Sequence, residues 1–496
     1  MARAGERDVR DGPVAALPAG QPRPSLVAEV AHALRHLDEG AAVVVACSGG
    51  PDSTALAFLV AEARDDLRLT LVHVAHGLRD AEVEDAERRL VFQHGAWLGA
   101  GCRSEAVQVP AGAGGPEAAA RTVRYAALHA VADTVGAVAI LLGHTADDQA
   151  ETVLLRAARG TGNDGLAGMR PSQARLLRPL LRLRRADLHG FVAGEGIPTA
   201  HDASNDDPAV RRSVVRHRVL PALGDVAPDP VGALTRLAVL AHDDADALDA
   251  AARPAVPMAT LGRVTVLQRP ALRRAHPALA RRRVRDALAP HLEQPPSSDT
   301  VARVLAAEPG TRCTLPGAVQ LEVTRAVLVF APVDAPLPPP RRLELPGSTP
   351  WPELDAAIEV RTAGSDPDHR AHEDQLPLGI PAVWSPVPVP SDRLLVPTGG
   401  RRDRVQIALP DLVDGLQARP PQPGDRIRTI AGTRRVAAVL RDAHLPRTLR
   451  DRWPVVVTGE RVVWLPGFAV DGALAADGRR DPRIALALVR DGPAGP

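Results

Sequence analysis

Residues 43–60 read VVVACSGGPDSTALAFLV: a β-branched run passes through Ser-Gly-Gly-Pro-Asp-Ser into an alanine- and leucine-rich segment. Val43, Val44 and Val45 are stiff at χ1 and suit a strand, whereas Pro51 suits the first turn of a helix. The junction therefore reads as strand, turn, helix. Such a helix start directs backbone N–H groups and the positive dipole end at one spot, favouring an anion by about 1 kcal/mol per charge. Gly49 and Gly50 remove the β-carbons that would keep a phosphate away. Ser48 and Ser53 offer hydroxyls, and Asp52 can hold a magnesium ion bound to phosphate oxygens. A helix merely capped by Ser48, with glycines used only for the turn, is compatible with the same residues. No lysine follows the glycines, which excludes the G-x-x-x-x-G-K-[ST] loop, and G-x-G-x-x-G is absent here.

Lysine is missing from the whole chain, so all 60 basic residues are arginine; they face 59 acidic ones for a net charge of +1. Whole-chain charge therefore announces no nucleic-acid partner, and one would have to be met by local basic patches. At 496 residues, with 45% hydrophobic content, two to four domains with real cores are expected. Cys47, Cys102 and Cys313 form no C-x-x-C and are too few for a disulfide framework, which fits a reducing cytoplasm. No 18-residue apolar run is present and residues 1–25 lack an apolar signal core, so a chain with no membrane partner and a disordered tail over 1–25 is expected.

Residues 26–222 alternate apolar runs (AVVVAC, LTLVHVAH, AVAILLGH) with segments of helical spacing. That alternation predicts an α/β fold with a doubly wound parallel sheet. Its ligands should lie beyond the strands' carboxyl ends. Residues 223–332 read as a helical domain with a short β-like end, 333–400 as a proline-rich linker with irregular β structure, and 401–496 as a small α+β domain with the hairpin WPVVVTGERVVWLPG. Trp453 and Trp464 of that hairpin read as core.

A second cluster, LLGHTADDQAETVLLR (141–156), falls after one of these strands. With a helix starting near Thr145, His144, Asp148 and Glu151 share one face. A capping box between Thr145 and Asp148 would also account for part of it. His73 and His76, three apart on a strand, point to opposite faces and make no two-histidine metal clamp, although His76 with Arg79 could line the site.

The loop SGGPDS (48–53) resembles the PP-loop of the ATP pyrophosphatases, and the second cluster resembles the H-x-x-D-D-Q-x-E-T signature of the tRNA(Ile)-lysidine synthetase family. HVAHGLR (73–79), EAAARTVRYAAL (117–128), RGTGNDGLAGM (159–169), RPLLRLRRADL (178–188), DASNDDP (202–208) and residues 423–467 extend the likeness. The resemblance implies ATP as co-substrate with Mg2+, and free lysine and the isoleucine tRNA with a CAU anticodon as partners. The wobble cytidine would be adenylated with loss of pyrophosphate, and lysine would then displace AMP. It implies that Ser48, Gly49, Gly50, Pro51, Asp52 and Ser53 hold pyrophosphate and, through Asp52, magnesium. Arg124 would face the α-phosphate or the adenylated base, and His144, Asp148 and Glu151 the adenylation and lysine sites, with Asp148 and Glu151 pairing the ammonium groups. Arg212, Arg216, Arg282, Arg434 and Arg435 are the expected tRNA contacts. A tRNA thiolase of the same superfamily and a catalytically idle nucleotide- or RNA-binding module are the alternatives, and the residues leave the oligomeric state, a homodimer included, open.

Overall fold

A computed structural model of the chain describes residues 17, 19–77, 80–109, 116–200, 211–292, 294–362, 404–408, 415–429, 432–472 and 483–490. Arg79, the segment 202–208, the proline-rich 364–398 and nearly all of 1–16 lie outside the described residues. The chain divides into two compact units, Met1–Ala247 and Leu248–Pro496.

The first unit carries helices α1 (Arg23–Leu34), α2 (Pro51–Ala63), α3 (Ala81–Leu98), α4 (Pro116–Val135), α5 (Ala146–Ala158), α6 (Asn163–Leu166) and α7 (Arg185–Gly194). Its strands are β1 (Ala42–Ala46), β2 (Arg68–Ala75), β3 (Gly101–Ala106), β4 (Ala139–Leu141), β5 (Ser172–Gln173) and β6 (Leu176–Leu177). They form one sheet in the order β3-β2-β1-β4-β6-β5, parallel except for the β5–β6 pair. All five residues of β1 are buried, as a central strand covered on both faces requires. Val43, Val45 and Cys47 pack with Leu56, Leu59, Leu188 and Phe191 of α2 and α7. On the opposite face Ala42, Val44 and Ala46 pack with Leu128, Val131 and Ala132 of α4. The doubly wound parallel fold expected from the alternation is thus present. Strand order reverses between β1 and β4, and the crevice outside the carboxyl ends at such a switch point is where α/β sheets bind ligands.

Residues 211–224 continue as helical turns with a π-helical stretch over Val215–Val219, and a 26-residue helix, Pro230–Ala255, follows. In the stretch expected as helices with a β-like end, that end forms three strands, and two earlier strands that were not expected join them. Besides helices Arg269–Arg274, Pro277–Leu288 and Ser298–Ala306, the stretch builds a five-stranded antiparallel sheet from β7 (Met258–Leu261), β8 (Val264–Gln268), β9 (Arg312–Leu315), β10 (Val319–Val323) and β11 (Val327–Pro332). Strands β7 and β8, short and followed by an arginine-rich helix, gave little periodic signal. Part of the irregular β structure expected over 333–400 is regular strand: Gly347–Trp351 pairs with Ala356–Thr362, which pairs with Arg483–Arg490 near the end of the chain. The hairpin Val455–Thr458/Arg461–Leu465 forms as read, and Trp453 and Trp464, each 1% exposed, are core. Among the described residues no helix is long and apolar enough to cross a membrane.

Candidate active site at the sheet switch point

The loop after β1 is shaped by its small residues. Gly49 adopts φ +82°, where a side chain would be strained, and Gly50 precedes Pro51 at the start of α2. No side chain caps this helix, so the turn is not explained by Ser48 acting as a cap. Ser53 braces the loop from within: its hydroxyl donates to Gly50 O at 3.0 Å and accepts from Ser48 N–H at 3.2 Å. Ser48 itself is exposed, and Asp52 stands in the first turn with its carboxylate partly open. The loop after β4 approaches closely: a β-carbon on Gly143 would meet Ser53 Cα at 3.2 Å and the Asp52 carbonyl at 3.3 Å. The two loops flanking the switch point are thereby held in contact.

Each letter of the 144–152 cluster has a task. Thr145 caps α5, and Asp148 returns the bond, accepting from Thr145 N–H at 2.9 Å, a complete capping box. That accounts for one oxygen of Asp148; the other accepts from Arg185 at 2.9 Å. Asp147 accepts from Arg185 N–H at 2.8 Å and so pins the start of α7. Gln149 exchanges two bonds with the Met169 backbone, donating to its carbonyl at 3.0 Å and accepting from its N–H at 2.7 Å. Thr152 accepts from Arg212 at 3.2 Å. Glu151, fully buried, accepts from Arg216 at 2.8 Å and lies 3.3 Å from both Arg185 and Arg212.

Two residues that sequence reasoning left without a role complete this arrangement. Arg185 spreads its guanidinium over three carboxylates: Asp148 at 2.9 Å, Glu151 at 3.3 Å and Asp52 at 3.4 Å. His189, one turn on along α7, lies 3.0 Å from the other Asp52 oxygen. A signal was available in RPLLRLRRADL. Arg185 is the first residue of α7, where the dipole disfavours a cation, so its position calls for another reason. Burial works against the Arg185 charge, but Asp148, Glu151 and Asp52 hold its pKa above the ordinary arginine value. Burial likewise opposes the Asp148 charge, yet Arg185, His144 and the Thr145 N–H hold it below the usual carboxylate range.

His144 has a different neighbourhood. Burial, reinforced by Arg178, Arg121 and Arg124, pushes it down to about 3 despite Asp148, so it is neutral at pH 7. Its Nδ1 is buried without a partner among the described residues. Arg124, on α4, has no carboxylate partner among the described residues, and burial lowers its pKa. Arg178 donates to Arg170 O at 2.7 Å while its Nε is buried and unpartnered. Around His144, guanidinium groups without a carboxylate partner among the described residues are arranged for an anion.

The expected tRNA contacts divide. Arg212 and Arg216 are drawn into the Glu151 cluster rather than presented to solvent. Arg282 is 5% exposed and donates to the half-exposed Asp249 at 2.6 Å, so its head is held in an ion pair rather than presented to solvent. Arg283 beside it is equally buried, bonding Val256 O at 2.9 Å, and Arg273 and Arg274 belong to a separate helix. Arg434 and Arg435 are exposed on the hairpin Arg426–Thr429/Gly432–Arg435 at the edge of a larger sheet, a ribbon that also exposes Arg426 and Arg428; Arg434 pairs with Asp442. His73 is buried near Glu87 and Ser104, and no group of three or more His, Cys, Asp or Glu able to hold a metal occurs among the described residues.

Comparison with known proteins shows what the chain is similar to. A PP-loop domain matches residues 23–223 and a TilS substrate C-terminal domain matches residues 416–486. A tRNA(Ile)-lysidine synthase of Thermobifida fusca is 48% identical over 243 residues, 47% of this chain and 72% of the relative. Those of Geobacter sulfurreducens (31% identity; 86% of this chain, 89% of the relative) and Symbiobacterium thermophilum (29%; 90% and 94%) align with nearly the full length. With its loop, its second cluster and both matched domains in place, the chain belongs to the tRNA(Ile)-lysidine synthase family.

Proposed function

We propose that this protein joins free lysine to C2 of the wobble cytidine in the isoleucine tRNA whose anticodon is CAU. The observation that carries the reading is the meeting, at one switch point, of an uncapped phosphate-type loop bearing Asp52 with the acidic pair Asp148 and Glu151. In the first step cytosine O2 attacks the α-phosphate of ATP and pyrophosphate leaves. In the second the lysine ε-amine attacks C2 and AMP leaves. The cytosine oxygen is a poor leaving group until phosphate carries its negative charge, which is why ATP is needed.

This chain's residues divide the labour. Gly49 and Gly50 leave room for phosphates, and Ser48 to Ser53 form their cradle with the first turn of α2. Asp52 would hold magnesium through its partly open carboxylate, and such an ion would supply charge neutralisation at the phosphates. Arg124 and Arg178 set positive charge where the transferred nucleotidyl group is negative. Neutral His144 adds no cation there. Asp148, held in its charged form, is a counterion for a substrate ammonium, and Glu151 supplies the second carboxylate. One of the pair takes the proton that the attacking amine must lose. The exposed ribbon Arg426, Arg428, Arg434 and Arg435 suits tRNA phosphates, which set affinity and register rather than sequence choice.

The free cysteines Cys47, Cys102 and Cys313 supply no pair for sulfur transfer, and burial pushes the Cys47 thiol up, away from the reactive thiolate. The test is Asp52→Asn. AMP release with tRNA, lysine and Mg-ATP should be lost, and undiminished release in this variant would refute the site.

A further inference from the structure

The carboxylates of the proposed amine site already have cationic partners. Three carboxylates, Asp52, Asp148 and Glu151, face three guanidinium groups, Arg185, Arg212 and Arg216. A lysine ammonium added to this buried cluster would be a surplus cation, and desolvating one without a free counterion is costly. Exchange of one resident cation for the incoming one keeps the balance. Arg185 is the suited member. It alone touches all three carboxylates, and two of its three contacts are long at 3.3 and 3.4 Å, whereas Arg216 holds Glu151 at 2.8 Å. It also stands at the first position of α7, where the dipole opposes its charge. Its long stem lets the charged head swing out without moving the backbone.

Resting on the reading that Asp148 and Glu151 receive the amine, we propose that Arg185 is the resident cation of that site. Its guanidinium occupies the carboxylate cluster until substrate displaces it, and this competition sets the affinity for lysine. The site then rejects ligands whose cations are too weak or too few to dislodge a guanidinium. Arg185 is a positioning and specificity residue, acting through the carboxylates it releases.

The experiment uses the full chain with Mg-ATP, labelled lysine and unmodified tRNA transcript, comparing Arg185→Gln, Arg185→Lys and Asp148→Asn. Arg185→Gln removes the competitor and should lower the lysine KM about tenfold or more, the worth of one charge-assisted contact, without lowering the ATP KM. Arg185→Lys replaces a three-way fork by a point charge and should lower the lysine KM by less; it carries the test alone if the glutamine variant does not fold. A lysine KM unchanged or raised in the Arg185 variants overturns the proposal and makes Arg185 a structural tie. Asp148→Asn separates the two levels. It should raise the lysine KM, and no change there would remove the amine-site reading together with this inference.

Discussion

Replacing Glu151 by glutamine tests the acidic cluster most sharply as a physical object. Glu151 is fully buried and faces guanidinium groups of Arg216 at 2.8 Å and of Arg185 and Arg212 at 3.3 Å. The substitution keeps the shape and removes the charge, leaving three cations with two carboxylates. Breaking a buried ion pair from one side costs about 3–5 kcal/mol. The side chains of Arg212 and Arg216 are 30% and 23% exposed, so solvent softens the loss, and about 2–3 kcal/mol is the expected destabilisation. For a unit the size of Met1–Ala247 that corresponds to a fall in Tm of about 4–12 °C. Thermal unfolding of the full chain at pH 7 measures it. Adding Arg216→Met should recover about 1 kcal/mol or more relative to the sum of the two single changes, because the double variant no longer buries the surplus cation. A glutamine variant melting within about 1 °C of wild type, or a cycle without coupling, would refute the reasoning.

Three further outcomes follow from the same geometry. His144 has a folded-state pKa pushed down to about 3, so below pH 6.5 the unfolded chain takes up a proton that the folded one refuses; its contribution is complete above about pH 6.5 and falls towards pH 3. By pH 5 the cost is about 2 kcal/mol, so His144→Asn should flatten the loss of stability between pH 7 and pH 5 in denaturant titrations. Arg124→Met should reduce kcat/KM for AMP release about 10–100-fold while Tm holds or rises, because a partly buried cation without a carboxylate partner among the described residues is removed; a lower Tm with unchanged AMP release would show the reverse assignment. Arg282→Ala, which breaks the pair with the half-exposed Asp249, should destabilise the chain by about 1 kcal/mol yet leave tRNA affinity in filter binding unchanged, whereas Arg434→Ala with Arg435→Ala should weaken binding and flatten its salt dependence.

The parts of this protein that were legible in advance are those written in local pattern. Val43–Val45 followed by SGGPDS specify strand, turn and helix almost residue by residue, and HTADDQAET specifies a capped helix with a charged face. The centre of the site was less legible because it is assembled by long-range pairing. Arg185 lies more than 130 positions from Asp52 and more than 30 from Glu151, and no spacing rule connects them. The arginine count also misled: in RRRVRD the helical turn sends Arg282 and Arg283 inward and Arg281 outward, a distinction set by which face packs on the core. The strands around Gly347–Thr362 read only as irregular β structure because their partner, Arg483–Arg490, lies more than 120 residues away.

The most direct measurement mixes the full chain with Mg-ATP, labelled lysine and unmodified CAU-anticodon isoleucine tRNA and counts products. One lysine on each tRNA, matched by one AMP and one pyrophosphate, is the predicted result. ATP cleaved to ADP and phosphate, or AMP formed with no lysine carried by the RNA, would contradict the account.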